Sequence, residues 1–462
     1  MATAARSFGP PQPAIAARRG GRSGPRKLPT RVILAALATV LVVAASIVAA
    51  PPIVGIAGEG TPPIAAALRL PVGYVALAPV SDVLDALTLL TPGQHLAIFL
   101  WAIAGFVGWR TRRIHDRRRT GLGLRTLREA AALGWFLAAY ASVYAAGLLA
   151  PRPMAALALD DRDALAIDVH SHSEVSHDGR TGFGPEANRR WHAAAGFAAA
   201  YVTDHRGYMG AELGALGNPA HAGDGTMVLP GIESAVRGAH VMLLGARAPM
   251  LLDHEGTLDL ERLRATRGIV TVLAFPARLR SLPADLPLTA IEGSDGAPRG
   301  LRDTRRHVEQ IRDYATAHRL VRVAGSNNHG WGRTAPAWTV LRMPGWRAMS
   351  GEALDSAIRA TLLRGGPVAV LVRATVAPPR SDAEWLATPF LVAWDADRRL
   401  STMERVAWLA WIWTIVALLP RRRRAPLPNA SASAERGRRS PARVRSAPPP
   451  GTSAPTDRCA AP

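Results

Sequence analysis

The sequence predicts an α/β domain carried between transmembrane helices, and three observations lead to it. Four apolar runs stand next to arginine-rich segments. Between the third and fourth, short β-type runs alternate with helical ones, the pattern of a parallel sheet, open or closed into a barrel. The polar residues of that segment collect just after its strand candidates instead of scattering.

The membrane elements come first. Residues 32–50 ("VILAALATVLVVAASIVAA") carry no charge and approach the ~20 residues that span a bilayer; a cleaved signal peptide is the rival reading of this run. Two further runs lie at about 89–109 and 130–150. A fourth, at 404–420, holds "VAWLAWIWTIVALL" between Arg405 and the arginines of 421–424, and its tryptophans suit a membrane interface.

The formal charge of +21 is segmental. Residues 1–31 carry seven basic side chains and no acid, 110–128 carry eight and one, and 420–462 carry ten and two, which leaves the rest near neutral. Nucleic-acid binding needs a basic face on a folded body, so none is expected. With four spans every arginine-rich segment falls on one side, the cytoplasmic one by the positive-inside rule. Residues 151–403 then lie on the extracytoplasmic, periplasmic side of a multi-pass protein in the cell membrane, with the lipid bilayer as a partner. The tails, 1–31 and 421–462, read as disordered, and the single cysteine, Cys459, leaves no internal disulfide.

Within 151–403 the strand candidates are 164–169, 198–203, 227–232, 240–245, 269–275, 288–293 and 320–326, with helices at 185–195, 258–265 and 304–318. Met227 to Gly245 reads as a local hairpin. "DVHSH" follows the first strand, "TDH" the second, "GIE" the third and "GSNNH" the last. Strand ends that each deliver His, Asp or Glu are what a convergent site requires. His192, His221, His254, His307 and His318 lie outside any motif and read as surface residues.

Side chains alternate along a strand, so His170 and His172 project to the same side and can clamp one ion. Imidazole with carboxylate suits zinc, iron or manganese. Glu233 can bridge two ions, and Asp178 or His177, His205 and His329 offer further ligands, with metal-activated water as the nucleophile. A carboxylated-lysine centre is excluded because the only lysine is Lys27; a cysteine-held structural zinc is excluded because the domain has no cysteine; no G-x-S-x-G elbow is present.

Together, "IDVHSHSEVSHDG", "AAYVTDH", "LPGIES…HVMLLG" and "VAGSNNHG" resemble the successive motifs of the PHP (polymerase and histidinol phosphatase) family, over roughly 165–335. The resemblance implies a distorted seven-stranded β/α barrel, up to three metal ions, and hydrolysis of phosphoesters; other members are accessory domains of DNA polymerases. By position it assigns His170, His172, Asp178, His205, Glu233, His240 and His329 as metal ligands, with Asp168 and Asp204 orienting them. His205 and Asp204 are the expected catalytic residues, and Arg206 and Arg333 the expected substrate-binding ones, with Arg180 and Arg278 also near motifs. Two positions depart from the family: Phe275 stands where a histidine is usual, and Asn327 where an aspartate is usual. Asn327 is kept as a weak ligand, and the expected complement falls to one or two divalent ions of zinc, manganese or iron. The expected function is a membrane-anchored phosphoesterase acting on a phosphorylated small molecule or other phosphoester. The alternative is a non-catalytic metal- or ligand-binding sensor or scaffold.

Overall fold

The computed structural model describes residues 29–55, 64–115, 122–205, 207–236, 238–247, 258–274, 279, 282, 285–295, 305–366, 368–375, 377 and 379–419. Its strands, in chain order, are β1 (Ile53–Gly55), β2 (Ala66–Arg69), β3 (Ala156–Leu159), β4 (Ala164–Ser171), β5 (Ala199–Val202) and β6 (Met227–Val236). They continue with β7 (Ala239–Leu244), β8 (Val270–Leu273), β9 (Ala290–Asp295), β10 (Val321–Gly325), β11 (Ala337–Arg342) and β12 (Val368–Arg373). β2 and β3 form a separate two-stranded sheet, and the others make one ten-stranded sheet in the order β1-β12-β11-β4-β5-β6-β7-β8-β9-β10.

The strand bearing the histidine pair lies inside this sheet, and all eight of its residues are buried. It pairs in parallel with β5, and β5 does so with β6. β6 turns back into β7 as the expected hairpin, and β8, β9 and β10 run parallel to one another. The seven strands β4 to β10 share one apolar core that includes Ile167, Tyr201, Leu229, Met242, Val272 and Val323. The sheet curls until the end of β10 meets β4: His172 N donates to Asn328 O (2.9 Å), and Asn327 N donates to His170 O (2.8 Å).

The result is a mixed α/β fold with a curled ten-strand sheet, where seven strands were expected. The seven expected runs are all strands, and β1, β11 and β12 extend the sheet in antiparallel fashion beyond β4. β11 lies within residues 330–346 ("GWGRTAPAWTVLRMPGW"), a Trp- and Gly-rich segment with no polar strand end to mark it. Trp338 there is fully buried, and its indole donates to Ala195 O (3.0 Å) at the end of helix Pro185–Ala195.

All four apolar runs are helical: Thr30–Ile47, Pro92–His115, Leu122–Leu149 and Thr402–Leu418. Thr30–Ile47 and Leu122–Leu149 are long and apolar enough to cross a membrane; Thr402–Leu418 has 17 residues, and Pro92–His115 ends in arginines. The second and third form an antiparallel pair. Phe106 stacks on Phe136, Phe99 meets Tyr140 edge-on, and Arg110 pairs with Glu129 at 2.7 Å.

Residues 326–336 tie the sheet to these helices. Gly332 N donates to Leu148 O (2.9 Å). Thr334 Oγ1 donates to Asp85 Oδ1 (2.7 Å), on helix Ala78–Thr88. Asp85 is 1% exposed and also takes the Tyr74 hydroxyl (2.9 Å), Arg152 (2.8 Å) and Arg373 (2.7 Å). One carboxylate thus joins helix, linker, loop and β12.

Candidate metal centre

Alternation places His170 and His172 on one side of the end of β4, with Ser171 turned away to donate to Tyr201 O (2.9 Å). The two imidazole Nε2 atoms lie 3.1 Å apart, and Glu233 Oε2 is 3.1 Å from the first and 3.2 Å from the second. Three atoms able to ligate an ion therefore form a nearly equilateral buried triangle. An ion held at ~2.0–2.2 Å by nitrogen and oxygen separates neighbouring ligand atoms by about 2.8–3.6 Å, so the donor set and its dimensions fit.

Glu233 turns its other oxygen elsewhere. Oε1 is 2.6 Å from His240 Nδ1, while His205 Nδ1 lies 3.6 Å from Oε2. His205, Glu233 and His240 make a second group able to hold an ion; His172, Asp178 and His329 make another, and His177 joins Asp178 and His205 in a fourth. His205 Nε2 and His329 Nδ1 each lie 3.3 Å from an Asp178 oxygen. The structure brings His170, His172, Asp178, His205, Glu233, His240, Asn327 and His329 into one neighbourhood.

His329 Nε2 donates to Asn327 Oδ1 (2.8 Å), which leaves its Nδ1 as an electron-pair donor facing Asp178. Burial and then the charge of His172 push the His329 pKa down to about 3, so the ring is neutral near pH 7. The buried Nδ1 atoms of His172 and His329 have no hydrogen-bond partner. A lone pair and a carboxylate facing each other, with orphaned ring nitrogens nearby, is an arrangement that a cation resolves. Asn327 sits at φ +45° and reaches the site by holding the His329 ring.

The carboxyls show who is charged. Burial would raise Asp178, but the Ser176 hydroxyl and the His329 and His205 rings outweigh it and bring its pKa to about 2. Burial would likewise lower His170, yet Glu292 and Glu233 together hold it well above 6.5. Glu233 lies well below its ordinary value, because His170 first and then hydrogen bonds from His172 and His240 overcome its desolvation.

Loading the site must therefore displace the His170 Nε2 proton while Nδ1–H stays on Glu292. Below the His170 pKa, metal affinity is expected to rise about tenfold per pH unit. Calorimetric titration of metal in buffers of different ionisation enthalpy should read about one proton released per ion at pH 7; no release would refute it.

One expectation, the surface placement of His192, is overturned, and two are sharpened. Both oxygens of Asp204 accept from Ser173, which donates N–H and Oγ–H at 2.6 Å each, so this carboxylate positions the turn after β4. His192 is fully buried, with Nε2 2.7 Å from Asp168 Oδ2, not on the surface. Asp168 Oδ1 accepts from His170 N (3.0 Å) and Ser326 N (2.9 Å), which joins the two ends of the curled sheet. His221 and His318 are exposed as expected. Arg206, His254, Phe275, Arg278 and Lys27 lie outside the described residues.

Glu292 was missed. It is fully buried on β9, and its Oε1 lies 3.0 Å from His170 Nδ1. A lone acid closing the apolar run "LTAIEG" was the available signal. Close packing protects the contact: a Cβ on Gly325 would collide with the Glu292 carboxylate and with His170. Glu292→Gln keeps the shape and removes the charge, and metal affinity is expected to fall about 10–100-fold, measured by competition with a chelator. Unchanged affinity would remove Glu292 from the centre.

Arg333 is half-buried, and burial, then the charges of Arg152 and Arg180, lower its pKa. Arg180 donates its backbone N–H to His329 O (2.9 Å), and its guanidinium lies 5.9 Å from the Trp331 ring. Its buried Nε has no hydrogen-bond partner. Neither arginine pairs with a carboxylate among the described residues, so two unneutralised cations flank the loop that carries His329.

No protein-family model matches the chain, and no curated protein does. Among solved structures it is similar to PsfC from Pseudomonas syringae, at 17% identity over 44% of this chain and 94% of that one, with a TM-score of 0.29. It is similar also to a two-domain protein from Bacteroides vulgatus described as containing a predicted PHP-like metal-dependent phosphoesterase, at 16% identity over 42% of this chain and 63% of that one, TM-score 0.27. A third is an amidohydrolase from Chromobacterium violaceum with bound sulfate and no metal, at 16% identity over 47% of this chain and 99% of that one, TM-score 0.26. Overlaps of this size carry no weight on the reaction, which rests on the side chains above.

Proposed function

We propose that this chain is a membrane-anchored, PHP-type hydrolase that uses divalent metal to cleave phosphoesters with water. The observation that carries the reading is Glu233, whose Oε2 faces His170 and His172, with His205 3.6 Å away, while its Oε1 faces His240. His170 and His172 with Glu233 would hold one ion, and Glu233 with His205 and His240 a second. A divalent ion there supplies a Lewis acid for a phosphoryl oxygen and acidifies water. His205, its pKa lowered by burial, stays neutral near pH 7 and so offers an imidazole lone pair to an ion. Arg180 and Arg333 favour a phosphoester over a neutral ester, since an anionic group relieves their mutual repulsion.

The bilayer enters through side chains that are apolar and uncovered: Leu34, Val40, Leu127, Trp135, Val406 and Ile415, on three of the four helices, are all exposed. The arginine-bearing ends point away from the sheet. Arg110 and Glu129 close one end of their hairpin, while Gly93 and Leu148 at the other accept hydrogen bonds from Trp385 and Gly332. That polarity supports the sheet domain lying outside the cytoplasm.

Metal analysis of the purified full chain, with phosphoester turnover by wild type and His170→Ala/His172→Ala, tests the reaction. Metal and turnover lost together in the double variant are expected. Bound metal with no turnover of any phosphoester would leave a binding module instead. A reporter active only outside the cytoplasm, fused after Ala150, tests topology; an inactive reporter would overturn the orientation.

A further inference from the structure

A cavity of about 490 Å³ lies between the metal centre and the helices, within the size range of ligand sites. One wall is the loop that delivers the site: Asn327, His329, Trp331 and Gly332. The opposite wall is apolar and comes from the helical region: Leu84, Leu87, Leu90, Val143, Tyr144 and Leu148. His329 therefore faces the ion cluster and the cavity at once.

The polar side chains of the helical wall are already engaged; on the loop wall the buried Nδ2 of Asn328 has no hydrogen-bond partner. Thr88 Oγ1 donates to Thr334 Oγ1 (3.0 Å), and His95 Nδ1 lies 3.0 Å from the Tyr144 hydroxyl. A sugar or nucleoside would find little to bond there, whereas a hydrocarbon chain loses nothing. At the polar end stands His329, on the loop that Arg180 and Arg333 flank, neither of them paired with a carboxylate among the described residues. The layout is anionic-group recognition joined to an apolar slot that opens among helices read as membrane spans.

We infer that the substrate is a lipid phosphoester, its phosphate at the metal centre and its hydrocarbon chain in this cavity. The inference rests on the hydrolase reading and adds the substrate class. In the reaction the ester P–O bond breaks, the water oxygen bonds to phosphorus, and the lipid oxygen leaves with a proton as an alcohol. No oxidant or reductant enters.

Two readouts on metal-loaded full-length protein in lipid nanodiscs test it. The first is binding of octylphosphonate against ethylphosphonate, which are not hydrolysed. At about fourfold per buried methylene, the octyl compound is expected to bind at least about a hundredfold more tightly. Val143→Trp, which fills the slot, should collapse that ratio toward one, and Leu87→Trp serves if the first variant does not fold. The second readout is turnover of 4-nitrophenyl phosphate and of octyl phosphate, with kcat/KM favouring the octyl ester. Equal phosphonate affinities alongside turnover of 4-nitrophenyl phosphate would overturn the lipid assignment alone. An octyl preference erased by the tryptophan variants, with no turnover of either ester, would overturn the hydrolase reading alone. An octyl preference that survives both tryptophan variants reports partition into the nanodisc and also overturns the assignment.

Discussion

Glu233→Gln is expected to lower turnover by at least about a thousandfold and metal affinity by at least about a hundredfold, beyond the 10–100-fold typical of groups that only orient a ligand. The reason is geometric. One carboxylate stands 3.1 and 3.2 Å from His170 and His172 through one oxygen and 2.6 Å from His240 through the other. The amide keeps the size of the group but offers one oxygen in place of two and removes the negative charge that both candidate ligand groups share. It also removes one of the two carboxylates that hold the His170 proton, so the pH dependence of loading should shift to lower pH. Glu233→Asp, which keeps the charge but shortens the reach, should retain more metal than Gln. Measurement is by metal content after desalting and by phosphoester kinetics. A Gln variant that retains its ions and its rate would refute the shared-carboxylate centre.

Asp85→Ala is expected to be the most destabilising single change outside the metal centre. Removing it leaves Arg152 and Arg373, both largely buried, without their common anion. An uncompensated buried charge costs about 3–5 kcal/mol, and the hydrogen bonds from Tyr74 and Thr334 are lost with it. In a domain of this size that corresponds to a fall of roughly 10 °C in the unfolding midpoint. Thr334→Ala, which deletes a hydroxyl that donates to Asp85 and accepts from Thr88 and Arg152 but leaves no charge unpaired, should cost less, about 1–3 kcal/mol. Thermal unfolding in detergent checks both. Because Asp85 ties helix Ala78–Thr88 to the loop after the metal residues, the Ala variant should also expose residues 326–336 to protease. An unfolding midpoint within a degree of wild type would show that the arginines find other partners.

The metal centre could be read in the sequence where its geometry is local. His170 and His172 meet because a strand alternates with period two, and the motifs after β5 and β10 and in the second half of β6 converge because parallel strands bring their carboxyl ends to one edge. Seven strands were readable because each is a short apolar run, four of them ended by a polar motif. β1, β11 and β12 carry no such ending, and nothing short of pairing distinguishes them from buried helix or loop.

Other features depend on distance along the chain. Glu292 reaches His170 from 122 residues away because the sheet curls, and Gly325 leaves the space for it. His192 looked like a surface residue because its partner, Asp168, lies on another element. Arg180 and Arg333 become an unneutralised pair only when the loop after β10 returns to the turn after β4. The chain by itself determined which residues can bind metal and which helices are apolar, since residue chemistry and periodicity are local properties. Only the tertiary structure decided which carboxylate orients which imidazole and that an apolar cavity adjoins the centre, because burial and curvature bring together groups that sequence order keeps apart.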